Sequence, residues 1–184
     1  MKKTNKNLIL PGMYVYADGK ISSEILPGCQ IKAVVGYIED GMAYAVCLRN
    51  KFNSWINCDA FVEEPQIITN GKEATRKILE FAEKYGRKAY AAQICYDYAE
   101  DGVQQGEAFL PSLCEFEKLY VNKVAITTSL EALQADVLFE WSYYWTSTEV
   151  SYGHVMMFSM KDGHSLSMAK INTEFIRPFI TVKI

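Results

Sequence analysis

Three helix-start signatures occupy the middle of this chain, with strand-type sequence on both sides of them. Asn70 with Glu73, Ser112 with Glu115 and Thr128 with Glu131 each set a short polar acceptor three residues ahead of a carboxylate. That spacing lets the two side chains satisfy backbone N–H groups that a first helical turn leaves without partners. Before this block the sequence is strand-like and turn-rich, and after it the apolar period changes to two, so the order is strands, helices, strands.

The leading strand segment runs from Met13 to about Val62. MYVYADGKIS carries an Asp18-Gly19 turn, and IKAVVGYIEDGMAYAVCL places Asp40-Gly41 between two apolar runs; two successive hairpins are expected. Glu63, Glu64 and Pro65 then break the pattern. After Asn70, Ala74, Ile78, Phe81, Ala82 and Tyr85 recur at spacings of three and four, which predicts an amphipathic helix ended by Gly86. A second helix follows Pro111 with Leu113, Phe116, Leu119 and Tyr120 on its apolar face, and a third, short one starts at Thr128 and buries Leu130 and Leu133. The stretch between the first two helices, AYAAQICYDYAEDGVQQGEAFLP, reads as a loop-rich connector.

Beyond the helices, HVMMFSMKDGHSLSMAK reads as a hairpin turning at Asp162-Gly163. That turn pairs Lys161 with His164, Phe158 with Ser167 and Met156 with Ala169, and on the other face Met157 with Met168 and Ser159 with Leu166. Both faces are partly apolar, so this hairpin is expected at the sheet centre. In the last strand Ile180, Val182 and Ile184 alternate with Thr181 and Lys183, the pattern of a half-buried edge.

Charge and cysteine usage exclude several classes. The net charge of −3 over 184 residues supplies no global basic field, so nucleic acid is not an expected partner. The basic start MKKTNKNLIL offers only Leu8 to Leu10 as an apolar stretch before Pro11 and Gly12, against the roughly 7–15 residues of an export signal. No signal peptide is read there. No run approaches the ~20 apolar residues of a membrane span. Cys29, Cys47, Cys58, Cys95 and Cys114 are odd in number and form no CxxC or CxC pair; free thiols are expected rather than a disulfide framework or zinc site.

FLPSLCEFEKLYVNK, then ITTSLEALQ, YWTSTE, GHVMMFSMKDG and FIRPFI follow one another in an order that resembles bacterial domains of the C-type lectin-like superfamily. The nearest group is a domain-of-unknown-function family close to the Fib-succ major paralogous domains of gut Bacteroidetes and their phages. Its LPS-x-x-E helix is matched by Leu110, Pro111, Ser112 and Glu115, its YWSSTE strand by Tyr144 to Glu149 with Thr146 for Ser, and its VRPV strand by Ile176, Arg177 and Pro178. The resemblance covers residues 70–184. It implies an α+β fold, C-type lectin-like, with helices on a twisted and mostly antiparallel sheet and a loop-rich face that binds ligands in many relatives. Residues 1–69 would form an N-terminal β-hairpin subdomain. Relatives include variable receptor-binding proteins, adhesin tips and sulfatase-modifying enzymes, so the fold does not choose the function. The EPN, QPD and WND motifs of calcium-dependent sugar binding do not occur, and no cysteine follows Cys114, which removes the calcium-lectin and the sulfatase-modifying patterns.

The remaining chemistry is sparse. His154 and His164 are the sole histidines and fall at opposite ends of one expected strand, about 20 Å apart at about 3.3 Å per residue, so they do not share a metal. Asp97, Glu100 and Asp101 around Tyr98 could hold a cation, or simply form a polar turn that positions Gly102. Glu149 and Arg177 are charged residues inside apolar strands, expected to be satisfied by backbone or by one another. No catalytic residue, metal or cofactor is assigned.

The aromatic cluster Trp141, Tyr143, Tyr144 and Trp145 differs, because an indole or phenol face stacks on a sugar or anchors a protein epitope at low entropy cost. Tyr144 and Trp145 belong to the family strand and are expected in the core. Trp141 and Tyr143 precede it in a loop of the binding face, which Tyr152, His154 and Asn172 would flank; these five are the ligand-binding candidates. The first functional reading is a non-enzymatic recognition module for a glycan or protein ligand, on a bacterial surface or a phage virion. The alternative is a structural or assembly domain of a pilus, tail fibre or surface complex, with residues 13–62 supplying homo-oligomer contacts. An enzyme with residues scattered over loops stands third.

Overall fold

The computed structural model describes residues 8–57 and 69–184. The start Met1 to Asn7, Cys58 and the Glu63-Glu64-Pro65 break lie outside the described residues. The chain is an α+β protein. In order it runs β1 (Tyr14–Tyr16), β2 (Ile21–Ser22), β3 (Ile31–Glu39), β4 (Met42–Cys47), β5 (Lys51–Ser54), α1 (Gly71–Lys84), α2 (Tyr90–Tyr96), α3 (Leu113–Tyr120) and α4 (Lys123–Ala132). It continues with β6 (Tyr143–Ser151), β7 (His154–Ser159), β8 (Ser165–Ala169), β9 (Thr173–Ile176) and β10 (Phe179–Lys183).

Both expected N-terminal hairpins form. Asp40 and Gly41 both take positive φ, 49° and 74°, and close a two-residue turn between Glu39 and Met42, which face each other in the register. A type I′ turn demands that backbone. In the first hairpin Lys20 N donates to Asp18 Oδ1 at 2.9 Å and Gly19 carries φ 85°.

Two five-stranded sheets result, ordered β10-β4-β3-β1-β2 and β5-β9-β6-β7-β8. The 69/70 division expected from sequence is crossed in both: β10 lies antiparallel to β4, and β5 antiparallel to β9. The main core contains Val34, Val46, Phe116, Leu119, Ile126, Leu130, Tyr144, Phe158 and Phe179, drawn from both sheets and from α3 and α4. Phe116 is its hub, stacked on Phe158 at 5.7 Å between centroids and 5.2 Å from Phe179. Alternate residues of the second sheet, Trp145, Val155 and Met157, pack with Ile78, Ala82, Ala91 and Ala92 of α1 and α2. On the first sheet Val15, Ala33, Val35, Ala43 and Ala45 share a further cluster with Tyr98, Val103 and Ala108.

The N-terminal caps of α1 and α3 meet. Asn70 accepts from Glu73 N at 3.0 Å, and Ser112 with Glu115 forms the full reciprocal capping box. Glu115 also reaches Gly71 N, at 3.1 Å from Oε2, so one buried carboxylate serves the first turns of two helices. Burial pushes this carboxyl above the ordinary carboxylate range, opposed by the hydrogen bonds from Ser112 and Gly71. At its other end α1 closes as expected at Gly86, φ 60°, with Arg87 N donating to Ala82 O and Gly86 N to Glu83 O, a Schellman pair.

Three expectations are corrected. The third helix does not start at Thr128: α4 begins at Lys123 behind Asn122, and Thr128 sits inside it with Oγ1 donating to Val124 O at 2.9 Å. A hydroxyl at that spacing back-bonds within the helix and leaves no first turn to cap. Asn70→Ala should therefore cost about 1 kcal/mol and Thr128→Ala under about 0.5 kcal/mol; urea titration of the two variants gives the comparison. The connector contains a helix, α2, whose small residues Ala91 and Ala92 are buried and allow close approach to its neighbours. The β7–β8 hairpin turns through a loop, Met160 to Gly163, closed by Ser159 N to His164 O at 2.9 Å, so Phe158 faces Ser165 and Met156 faces Ser167. Gly163, at φ 74°, bonds back to Ser159 O and stretches the expected dipeptide turn by two residues. β8 is an edge strand rather than central, since among the described residues no strand pairs on its outer side, while β10 is an edge as expected.

Candidate functional site

The five candidate residues separate into two groups at opposite ends of β6. Tyr143 opens the strand opposite Ser159, and Ser151 near its other end faces His154. Tyr152 stands nine residues on from Tyr143, but β6 is irregular between Trp145 and Ser151, so its two ends are set apart by the span of β7 from Ser159 to His154, about 17 Å at about 3.3 Å per residue. Trp141 and Tyr143 therefore share one end of the sheet. Tyr152, His154 and Asn172 occupy the other, where β8 leads into β9.

At the first end Trp141 is 81% exposed. The register that sets Tyr143 against Ser159 carries Trp141 toward the β7–β8 loop, and Lys161 Nζ lies 4.0 Å from the centre of its ring. Tyr143 is half-buried against the cluster that contains Trp145 and Met157, so it serves packing as well as surface. Tyr144 and Trp145 are fully buried. Tyr144 OH accepts from Phe139 N at 2.9 Å, and Trp145 Nε1 donates to Asn53 O at 2.9 Å, so both belong to the framework. Lys161 and the exposed Phe52 and Phe139 were not candidates in the sequence. Phe175 touches both phenylalanines edge to face at 5.1 Å, a row visible only once β5 pairs with β9.

At the second end Tyr152 is 57% exposed. His154 Nδ1 lies 3.3 Å from Ser151 Oγ, and Asn172 Nδ2 contacts Met168 Sδ at 2.9 Å. Beneath them Lys170 is fully buried, paired with Glu149, 3.3 Å from Tyr152 O and 5.0 Å from the centre of the Trp55 ring.

The other charged groups are held within the protein. Arg177, fully buried, donates from Nη1 to Asn50 Oδ1 at 3.0 Å and Asp136 O at 2.8 Å, not to Glu149. Burial pulls its guanidinium below the usual range. Glu100 pairs with Lys51, Asp101 with Arg49 at 3.3 Å, and Asp97 accepts from Gln93 and Gln105 at 2.8 Å each. Among the described residues no group of three or more His, Cys, Asp or Glu side chains is placed to hold a metal ion. Cys29, Cys47, Cys95 and Cys114 are free thiols, and burial pushes Cys47 and Cys95 up, away from reactive thiolate. A groove of about 990 Å³ beside α1 and α2 is lined by Leu79, Tyr90, Tyr96 and Phe109 together with Arg76, Glu80 and Arg87. None of the five candidates lines it. No described helix is long and apolar enough to cross a membrane.

No family model and no curated protein matches the sequence. Among solved structures the fold is similar to that of a fimbrial protein from Bacteroides ovatus, with a TM-score of 0.77 at 13% identity over 95% of this chain. The chain spans about half the length of that protein, 49%. At this identity the likeness is one of fold: an α+β chain of 184 residues shares nearly its whole course with part of a fimbrial protein.

Proposed function

We propose that this chain is a non-enzymatic domain of a bacterial cell-surface assembly of fimbrial type. The carrying observation is the similarity of 95% of the chain to part of a fimbrial protein at a TM-score of 0.77. Support also comes from the buried Arg177, whose Nη1 joins Asn50 to Asp136 while its Nε and Nη2 make no hydrogen bond, a structural tie rather than a catalytic pair. In this reading residues 70–184 carry the C-type lectin-like resemblance but complete their two sheets with β1 to β5, and residues 13–62 supply contacts to neighbouring subunits. An epitope-tagged chain expressed in a Bacteroides host tests it. Antibody should label intact cells, and the chain should co-purify with filaments sheared from them; recovery solely as a monomer inside the cells would overturn the assignment.

A second reading, recognition of a ligand at the tip or side of such an assembly, is favoured by the exposure of Trp141. Trp141 with Tyr143 would form one contact area, and Tyr152, His154 and Asn172 a separate one. A glycan array probed with wild type, Trp141→Ala and Tyr152→Ala distinguishes the two areas. Capture lost in the first variant and kept in the second places the ligand at the Trp141 end.

A further inference from the structure

We propose that Trp141 and Lys161 form a contact site for an acidic saccharide, a pyranose bearing a carboxylate; the proposal rests on the recognition reading and names its ligand class. The indole is 81% exposed, and the Lys161 ammonium stands 4.0 Å from its centre, so the opposite face stays open to solvent. A sugar offers what such a platform takes, a face of C–H bonds for the π-surface and polar edges for water and charge. The ammonium adds the selection for charge. Lys161 has no carboxylate partner among the described ion pairs, whereas neighbouring Lys123 lies 3.9 Å from Glu140. A lysine's flexible four-carbon stem lets the ammonium swing from the ring face to its edge. There it trades a cation–π contact worth about 0.5–1 kcal/mol when exposed for a charge-assisted hydrogen bond to a carboxylate.

The platform is preorganised. Lys161 O accepts from Tyr120 Oη at 3.3 Å and from Lys123 Nζ at 3.1 Å, and Lys123 also holds Met160 O at 3.1 Å. Gly163 packs so closely on Tyr120 that an added Cβ would fall 2.8 Å from the ring. The backbone that carries Lys161 is thus pinned to α3 and α4, and only the side chain has to move. A protein epitope is the competing occupant, since the exposed Phe52 and Phe139 lie at the same end of the sheet; the ammonium over the indole favours the charged sugar, because a protein anchor needs a ring of apolar contacts that excludes water.

Oligogalacturonate is the probe, with a neutral galacto-oligosaccharide of equal length and poly-glutamate as comparisons. Trp55 and Trp145 are fully buried, so acrylamide quenching of tryptophan fluorescence reports on Trp141. Oligogalacturonate should protect it, at least tenfold more tightly than the neutral sugar, and Trp141→Ala should weaken binding at least tenfold by calorimetry. Lys161→Gln should bring the acidic sugar down to the affinity of the neutral one. Equal binding of both sugars, lost in Trp141→Ala, overturns the acidic class and leaves the recognition reading standing. Poly-glutamate binding as tightly as oligogalacturonate overturns the saccharide class. Absence of any sugar binding, or binding unchanged in Trp141→Ala, overturns both the proposal and recognition at this loop, and leaves the assembly reading in place.

Discussion

Gly71→Ala should lower the unfolding free energy by about 3 kcal/mol, although alanine is the better helix former by about 1 kcal/mol. Gly71 is the first residue of α1, and a Cβ there would strike Glu115 Oε2, lie 2.6 Å from Leu110 O and 2.8 Å from Pro111 Cα. Two of those three contacts are backbone, so no rotamer change relieves them. The carboxylate that caps both α1 and α3 would be pushed off Gly71 N and Ser112 N, which it now holds at 3.1 and 2.7 Å. Each buried donor left without an acceptor costs about 1–3 kcal/mol. Gly86→Ala is the control: its φ of 60° strains an alanine, yet nothing lies within 4 Å of an added Cβ. Its cost should stay near about 1 kcal/mol. Equal urea midpoints for Gly71→Ala and wild type would show that the two helix starts are not packed against each other.

Lys170→Ala is expected to destabilise the protein by about 3–5 kcal/mol. The ammonium is fully buried and pairs with Glu149, itself 10% exposed at its side chain. Deleting the cation leaves the carboxylate in a site walled by Trp55 and the β6–β7 turn, and also removes the bond to Tyr152 O. Replacing both charges, Lys170→Met with Glu149→Leu, should recover most of the loss, because a buried pair returns little more than its desolvation cost. Chemical denaturation of the single and double variants measures the coupling. A loss below about 1 kcal/mol in Lys170→Ala would mean that Glu149 is rehydrated rather than buried. The pair also anchors the turn that presents Tyr152 and His154, so the proposed second contact area should loosen with it.

Local chemistry was legible wherever a few adjacent residues decide the backbone. Asp40-Gly41 made its two-residue turn, Asn70 and Ser112 capped their helices, and Gly86 ended one, because each effect acts across three or four residues. Thr128 misled for the same reason. The spacing to Glu131 is right for a capping box, but the helix had already started at Lys123, and a cap signature inside a running helix has no orphan N–H to serve. α2 escaped because Tyr90 to Tyr96 is short, uncapped by any side chain, and stable only through its packing.

Strand order, pairing partners and the candidate site belong to the tertiary structure. Nothing near Phe179 in sequence says that β10 will lie beside β4, nor that Lys51–Ser54 will pair with Thr173–Ile176, since such pairing is repaid by distant burial rather than by local preference. The same holds for Trp141. Its aromatic character was plain in the chain, but its cation came from Lys161, brought over it by the β6–β7 register. Tyr152 and His154 were in turn carried to the far end of β6, because about 3.3 Å per residue turns a short sequence separation into the length of the sheet, and Asn172 joined them only through the pairing of β8 with β7.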